Sequence, residues 1–211
     1  VLSKRLKALA SHYHLQQSIW DIGCDHGQLG LSFRDHPQKP FIHLVDPSLN
    51  VIINLKQIID SDIPNSNLLK VHHEKGQRLK LDSSSKQIFI AGMGGKEIRD
   101  ILIALRPQMS PPDRVVVSPH RGILELREYL ASSDFGLIQE YTLMDEDQFY
   151  QVLCLDFESP DRVHHFGLGV FQGEVGQTYR RKLIETFEIH QDPQSRAFLS
   201  YLKADEIPAI K

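Results

Sequence analysis

The stretch IWDIGCDHGQLG, residues 19–30, decides the architecture. It opens as an apolar run, turns at Gly23 and Gly27, and ends in residues that start a helix. A buried strand entering a glycine-rich turn is the first crossover of an α/β protein, where a nucleotide is usually cradled. Carboxylates crowd this turn, however. Asp21 closes the strand, and Asp25 stands in the second glycine slot of the frame Gly23-Cys24-Asp25-His26-Gly27. A dinucleotide loop needs bare backbone against a pyrophosphate. Two unit charges about 4 Å apart interact by ~4 kcal/mol at an intermediate dielectric, and for Asp25 against a phosphate that interaction is repulsive. A nicotinamide-dependent oxidoreductase is therefore disfavoured.

S-adenosylmethionine removes the conflict. It has no phosphate, and it carries a sulfonium and an ammonium that carboxylates stabilise. Its adenosine still needs close backbone and an acid for the ribose hydroxyls. Asp46, at the end of the next strand candidate and 19 residues after Gly27, supplies that acid at the expected spacing of roughly 20 residues. The plainer alternative is that Asp21 and Asp25 only cap the following helix. A second glycine turn, IAGMGG (90–95), ends the fourth strand candidate and opens a helix at Lys96. Glycines at a strand's carboxyl end permit close approach of a flat ligand, or simply a tight turn.

Outward from this point, β-rich stretches recur: SIWDIG (18–23), FIHLVD (41–46), LLKVHH (68–73), QIFIAGMGG (87–95) and RVVVSP (114–119). Helical spacing lies between them at 49–59 and 98–105, and again in ILELREYLASS (123–133). Strand alternating with helix predicts a doubly wound parallel sheet with right-handed crossovers. Two adjacent strand candidates, 137–144 and 149–157, flank the turn Asp145–Glu146–Asp147 as in an antiparallel hairpin. A parallel core closed by such a hairpin is the Rossmann-like layout of class I methyltransferases. From about Ser159 the strand signal stops. The linker ESPDRVHHFGLG precedes an amphipathic helix over 174–191, Asp192–Pro193 breaks it, and a shorter helix follows around Phe198, Tyr201 and Leu202. The expected division is a cofactor-binding domain over 1–158 and a helical region over 159–211.

The chain has 211 residues, 41% hydrophobic and 24% charged, which suits one full-sized domain with a modest appendage. No run approaches the roughly 18 apolar residues of a membrane span, and the first residues lack the apolar core of a secretory signal. Cys24 and Cys154 form no CxxC pair and are expected as free thiols in a reducing cytoplasm. A net charge of −3 gives no global pull toward nucleic acid. Local clusters do exist, Lys4, Arg5 and Lys7 in one helical turn and Arg180, Arg181 and Lys182 near the end, and either also reads as a solvated face. The pairs His72–His73 and His164–His165 suggest a metal, but adjacent strand residues point to opposite faces, so no metal is expected.

Five colinear segments, LSKRL (2–6), DIGCDHGQL (21–29), IAGMGG (90–95), LREYL (126–130) and DEDQFYQV (145–152), together resemble the TrmK family. These are bacterial S-adenosylmethionine-dependent methyltransferases that modify N1 of the adenine at tRNA position 22. The similarity runs over residues 1–157. It implies that Asp21, Gly23 and Asp25 line the methionine end of the cofactor, with Gly27 in the same turn, and that Asp46 meets the ribose. Gly92, Met93 and Gly94 would lie between cofactor and target base. Leu2–Leu6 matches an N-terminal helix bordering that cleft, which makes Lys4 and Arg5 phosphate contacts. After the third strand the family has G-D-G, whose aspartate faces the adenine. Here the sequence is Glu74-Lys75-Gly76, leaving Glu74 for that role. After the fifth strand the family's Q-P-N is replaced by Ser118-Pro119-His120. The family's long C-terminal coiled coil, which grips tRNA, corresponds to only about fifty residues here.

The implied reaction needs an unpaired adenine whose N1 lone pair is held in line with the sulfonium methyl. Backbone at Gly92–Gly95 is expected to receive the exocyclic amine, and nearby carboxylates to stabilise the charge that develops. Asp25, His26 and His120 are the candidate catalytic groups. Three rival readings stay open: another RNA position, a small-molecule acceptor, or a non-catalytic S-adenosylmethionine-binding adaptor.

Overall fold

The computed structural model describes residues 2–14, 17–62, 66–189 and 192–204. Residues 190, 191 and 205–211 of the expected C-terminal region lie outside the described residues. Seven strands form one sheet in the order β3-β2-β1-β4-β5-β7-β6. β1 (Ser18–Ile22), β2 (Ile42–Asp46), β3 (Leu69–His73), β4 (Lys86–Ala91) and β5 (Arg114–Ser118) are mutually parallel, while β6 (Gly136–Asp145) and β7 (Gln148–Asp156) close the far edge as an antiparallel hairpin. Glu146 and Asp147, both at positive φ (47° and 60°), make the two-residue turn whose twist suits a hairpin. The β-hairpin and the doubly wound core are as the sequence predicts.

Strand residues alternate between two faces. Ile19, Leu44, Phe89 and Val116 pack with Leu9 of α1 (Lys4–Ala10), Leu29 of α2 (Gln28–Leu31) and Leu55 of α3 (Leu49–Asp62). Trp20, Ile22, Ile88, Ile90 and Val117 pack with α4 (Gly95–Leu105) and α5 (Ile123–Ser132) on the other face. The α4 stripe Ile98, Ile101, Leu102 and Leu105 has the spacing of one helical face, and all four are buried. Between β3 and β4 the chain makes only a short 3₁₀ turn, Gly76–Arg78, where the other crossovers carry helices. That leaves Trp20 covered by His43, stacked at 3.8 Å, and by His72 at 5.3 Å.

The C-terminal helices α6 (Gly173–Phe187) and α7 (Pro193–Lys203) build a smaller core from Val170, Phe171, Phe198 and Leu202 against Leu124 of α5. Asp192 caps α7 by accepting the Ser195 N–H at 2.9 Å, which explains the break before Pro193. A fully buried polar network fastens this region to the sheet. Arg127 donates to Glu140 (2.6 Å), to Gln151 (2.9 Å) and to the His164 carbonyl (3.0 Å). Glu140 in turn accepts the N–H groups of Leu168 (2.7 Å) and Gly169 (2.8 Å), and Gln151 donates to the Tyr179 hydroxyl (3.2 Å). None of the described helices is long and apolar enough to cross a membrane.

Candidate functional site

Beyond the carboxyl ends of β1, β2, β4 and β5 lies a cleft of about 610 Å³. It sits where strand order reverses between β1 and β4, the position at which open α/β sheets bind ligands. Asp21, Gly23, Asp25, His26, Asp46, Gly92, Met93, His120 and Arg5 line it, so most of the residues singled out from sequence meet in one place.

The carboxylates occupy one end. Asp21 is buried, and its Oδ2 accepts the Gly30 N–H at 2.8 Å. It therefore does cap the start of α2, as the plainer reading had it, while also facing the cleft. Burial first, then the neighbouring Asp46, drive its pKa up to about 7, against the pull of the Gly30 N–H. A carboxyl so raised lacks a cationic partner. Asp46 is also buried, with Oδ1 accepting the Ser48 N–H (2.8 Å) and Oδ2 the Asp25 N–H (3.2 Å). Each of its oxygens keeps a lone pair for a hydroxyl. Asp25 adopts a positive φ of 48° that projects its side chain into solvent, 3.7 Å from His26. Both side chains are about three-quarters exposed, so that ion pair contributes little by itself.

Gly23 is held to glycine by its turn and its neighbour. Its φ is +74°, and a Cβ there would lie 2.3 Å from the Met93 Cε. The two glycine turns thus pack against each other through the Met93 thioether. Cys24 lies beneath them with its thiol held protonated by burial and by Asp21 and Asp46.

At the other end Arg5 reaches in from α1. Its N–H is anchored by Asp145 Oδ2 at 2.9 Å, its Nη1 lies 2.7 Å from His120 Nε2, and its guanidinium covers the Tyr150 ring at 4.5 Å. Arginine only donates, so His120 Nε2 is the acceptor and the imidazole proton is on Nδ1. Burial and the Arg5 charge lower the His120 pKa, keeping the ring neutral. Arg5, expected as a phosphate contact, is thus also a wall residue of the cleft.

Four expected site residues stand outside this lining. Gly27, at φ +67°, is the N-cap of α2, and a Cβ there would meet Leu55 at 2.7 Å, so its role is packing. Glu74 accepts the N–H of its own neighbour Lys75 at 2.9 Å. Gly94 caps α4 and lines an adjoining depression of about 450 Å³ with Arg121 and Glu125. Lys4 is exposed on α1. Conversely, sequence reasoning missed Glu97, a cleft residue that accepts the Gln77 amide at 2.6 Å. Its place in the first turn of the helix after IAGMGG was the available signal. Among the described residues no group of three or more His, Cys, Asp or Glu is arranged to hold a metal ion.

Comparison with known proteins agrees with this geometry. Residues 2–153 match the family described as "Methyltransferase domain". The tRNA (adenine(22)-N(1))-methyltransferase of Bacillus subtilis is 26% identical over 166 residues, 77% of this chain and 68% of that protein. The crystal structure of the B. subtilis M1A22 tRNA methyltransferase TrmK superposes with a TM-score of 0.69 at 23% identity, covering 96% of this chain and 94% of that one. The M. capricolum TrmK structure, in complex with S-adenosyl-homocysteine, gives a TM-score of 0.73 at 17% identity over 94% and 92% of the two chains. With its doubly wound sheet, hairpin edge and family match over well more than half its length, this chain belongs to the methyltransferase-domain family.

Proposed function

We propose that the protein is an S-adenosylmethionine-dependent tRNA methyltransferase acting on N1 of an adenine, at position 22 as in the B. subtilis relative. The observation that carries this reading is the division of the cleft, with Asp21, Asp25 and Asp46 gathered at one part and Arg5 paired with neutral His120 at another. The open backbone at Gly92 and the raised Asp21 carboxyl fit a ligand that is flat at one end and cationic at the other. Asp21 and Asp25 would face its ammonium and sulfonium, Asp46 its ribose, and Met93 and Gly92 the side toward the acceptor. When bound, the cofactor supplies an electrophilic methyl group.

The chain's own residues do the rest by position. The N1 lone pair lies in the plane of the base and is free only when the base is unpaired, so the acceptor must be splayed out of its helix. Gly92, with φ +82° and no side chain, leaves backbone room for it beside the β4 terminus. Attack needs no strong base, and holding the two reactants in line removes much of a bimolecular barrier. The carboxylates stabilise the positive charge left on the methylated base. Exposed Lys4 on α1 is placed to meet the RNA backbone, and the cytoplasm is where such an enzyme meets its tRNA.

Mass mapping of nucleosides from tRNA incubated with the protein and methyl-labelled cofactor tests this reading. Labelled 1-methyladenosine in the D-arm is expected. Label on another nucleotide would replace the substrate, and tight cofactor binding without transfer to any RNA would leave an adaptor.

A further inference from the structure

We propose that Arg5 couples RNA-backbone contact to selection of the acceptor base. In the RNA-free protein its guanidinium caps His120 Nε2. On binding it moves onto an RNA phosphate, and the released Nε2 accepts a hydrogen bond from the exocyclic amine of the base. This rests on the reading of the acceptor as an adenine in RNA.

Four observations lead here. First, Asp145 holds the Arg5 N–H and bears on its charge only through space, so among the described residues the Arg5 guanidinium forms no ion pair. It holds a neutral imidazole, an aromatic face and the Ser118 carbonyl at 3.5 Å, the outer limit of a hydrogen bond, and its buried Nε has no partner. A phosphate adds an opposite charge and a bidentate acceptor to a guanidinium that now holds only uncharged partners, so an RNA phosphate outcompetes this set.

Second, the side chain is free to leave without its helix. Asp145 holds the Arg5 N–H, not the guanidinium. Third, the pair lies directly over the acceptor position, since a Cβ at Gly92 would stand 3.8 Å from Arg5 Nη2 and 3.9 Å from His120 Nε2. Fourth, two of the carbonyls in that glycine turn already hold one partner each. The Met93 carbonyl accepts the His120 N–H at 3.0 Å and the Gly94 carbonyl accepts the Ile98 N–H at 3.1 Å. His120 Nε2 is an acceptor of the right kind a residue's breadth away, and Arg5 alone masks it. The exchange conserves hydrogen bonds, because Nε2 trades a guanidinium N–H for an amine N–H.

The test uses full-length tRNA transcripts carrying either adenosine or purine riboside, which lacks the amine, at the methylated position. The ratio of kcat/KM for the two is measured in the wild-type protein and in His120→Ala. Intrinsic nucleophilicity cancels in that comparison. The ratio should fall by about tenfold in His120→Ala and be largely kept in His120→Asn, whose amide oxygen accepts. An unchanged ratio in His120→Ala overturns the base-reading role.

Separately, the ¹⁵N resonance of His120 Nε2 is followed as tRNA is added without methyl donor. It should move in the wild type. In Arg5→Ala it should start at the released position, with S-adenosylhomocysteine binding confirming that the variant is folded. A wild-type resonance that stays still while fluorescence anisotropy shows tRNA bound overturns the hand-off. That readout needs no transfer, so it stands apart from any failure to find 1-methyladenosine.

Discussion

Replacing Asp21 by asparagine should make the ligand-free protein more stable while making it bind the cofactor less well. The wild-type carboxyl is raised from 3.8 to about 7, chiefly by burial. Between these values the folded protein holds a proton that the unfolded chain has released. Stability therefore falls as pH rises from about 4 to about 7, and is level above that. Roughly three pH units at 1.36 kcal/mol each set a ceiling of ~4 kcal/mol, and water reaching the carboxyl brings the expected figure to about 2 kcal/mol. Asparagine keeps an oxygen for the Gly30 N–H and carries no charge. Urea unfolding followed by the fluorescence of Trp20, the chain's single tryptophan and the immediate neighbour of Asp21, gives both stabilities. The variant should match the wild type near pH 4 and exceed it by about 2 kcal/mol at pH 8. Taking the difference removes His43, whose pKa of about 4, lowered mainly by burial, contributes stability that rises with pH over much of the same window. A gap that is the same at pH 4 and pH 8 would refute the reasoning. So would undiminished S-adenosylmethionine affinity in the variant.

Asp25→Asn should weaken S-adenosylmethionine binding by about threefold, the modest effect of a solvent-exposed charge, and calorimetry reads it directly. Glu140→Ala strands Arg127 in the interior and should cost about 3–5 kcal/mol in denaturant unfolding, whereas Arg127→Met combined with Glu140→Gln, which keeps an oxygen for the Leu168 and Gly169 N–H groups, should recover most of that loss. A Cβ at Gly95 would lie 2.0 Å from the Gly122 carbonyl oxygen, so Gly95→Ala must part the turns after β4 and β5. It should lower both melting temperature and methyl transfer, since those turns carry Met93 and His120. Lys4→Ala should weaken tRNA binding and reduce the slope of log K against log salt by about one, with cofactor affinity unchanged.

The cofactor half of the cleft is legible in the chain because strand ends and glycine turns are local features. The parallel pairing of β1 with β2 and β4 sets Asp21, Asp46 and the Gly92 turn at one edge of the sheet, and the alternation of strand and helix predicts that edge. In the acceptor half the single residues Arg5, Gly92 and His120 are legible but their meeting is not, because it depends on contacts of long reach. Arg5 and His120 are 115 residues apart and meet only because Asp145, at the hairpin, fixes where α1 docks. The basic cluster Arg180–Lys182 shows the same limit. Arg180 turns inward to cap α7 through the Leu202 carbonyl at 2.7 Å, and Lys182 stands 5.4 Å from the centre of the Phe149 ring, neither of which residue spacing could reveal. The crossover after β3 carries no helical spacing in the sequence and no helix of more than one turn in the structure. His43 and His72 cover the sheet there by stacking, and stacked imidazoles leave no apolar periodicity to read.

The Arg127–Glu140 pair bears on where the catalytic body ends. Glu140 belongs to the sheet, yet two of its bonds go to Leu168 and Gly169, beyond the last strand. A chain cut at the end of β7 would open an ion pair to water and leave part of the α5 surface bare. A shorter piece that keeps that pair closed has to extend past Gly169. By the same token α6, through Tyr179, is tied to the same buried group, so loosening one loosens the other.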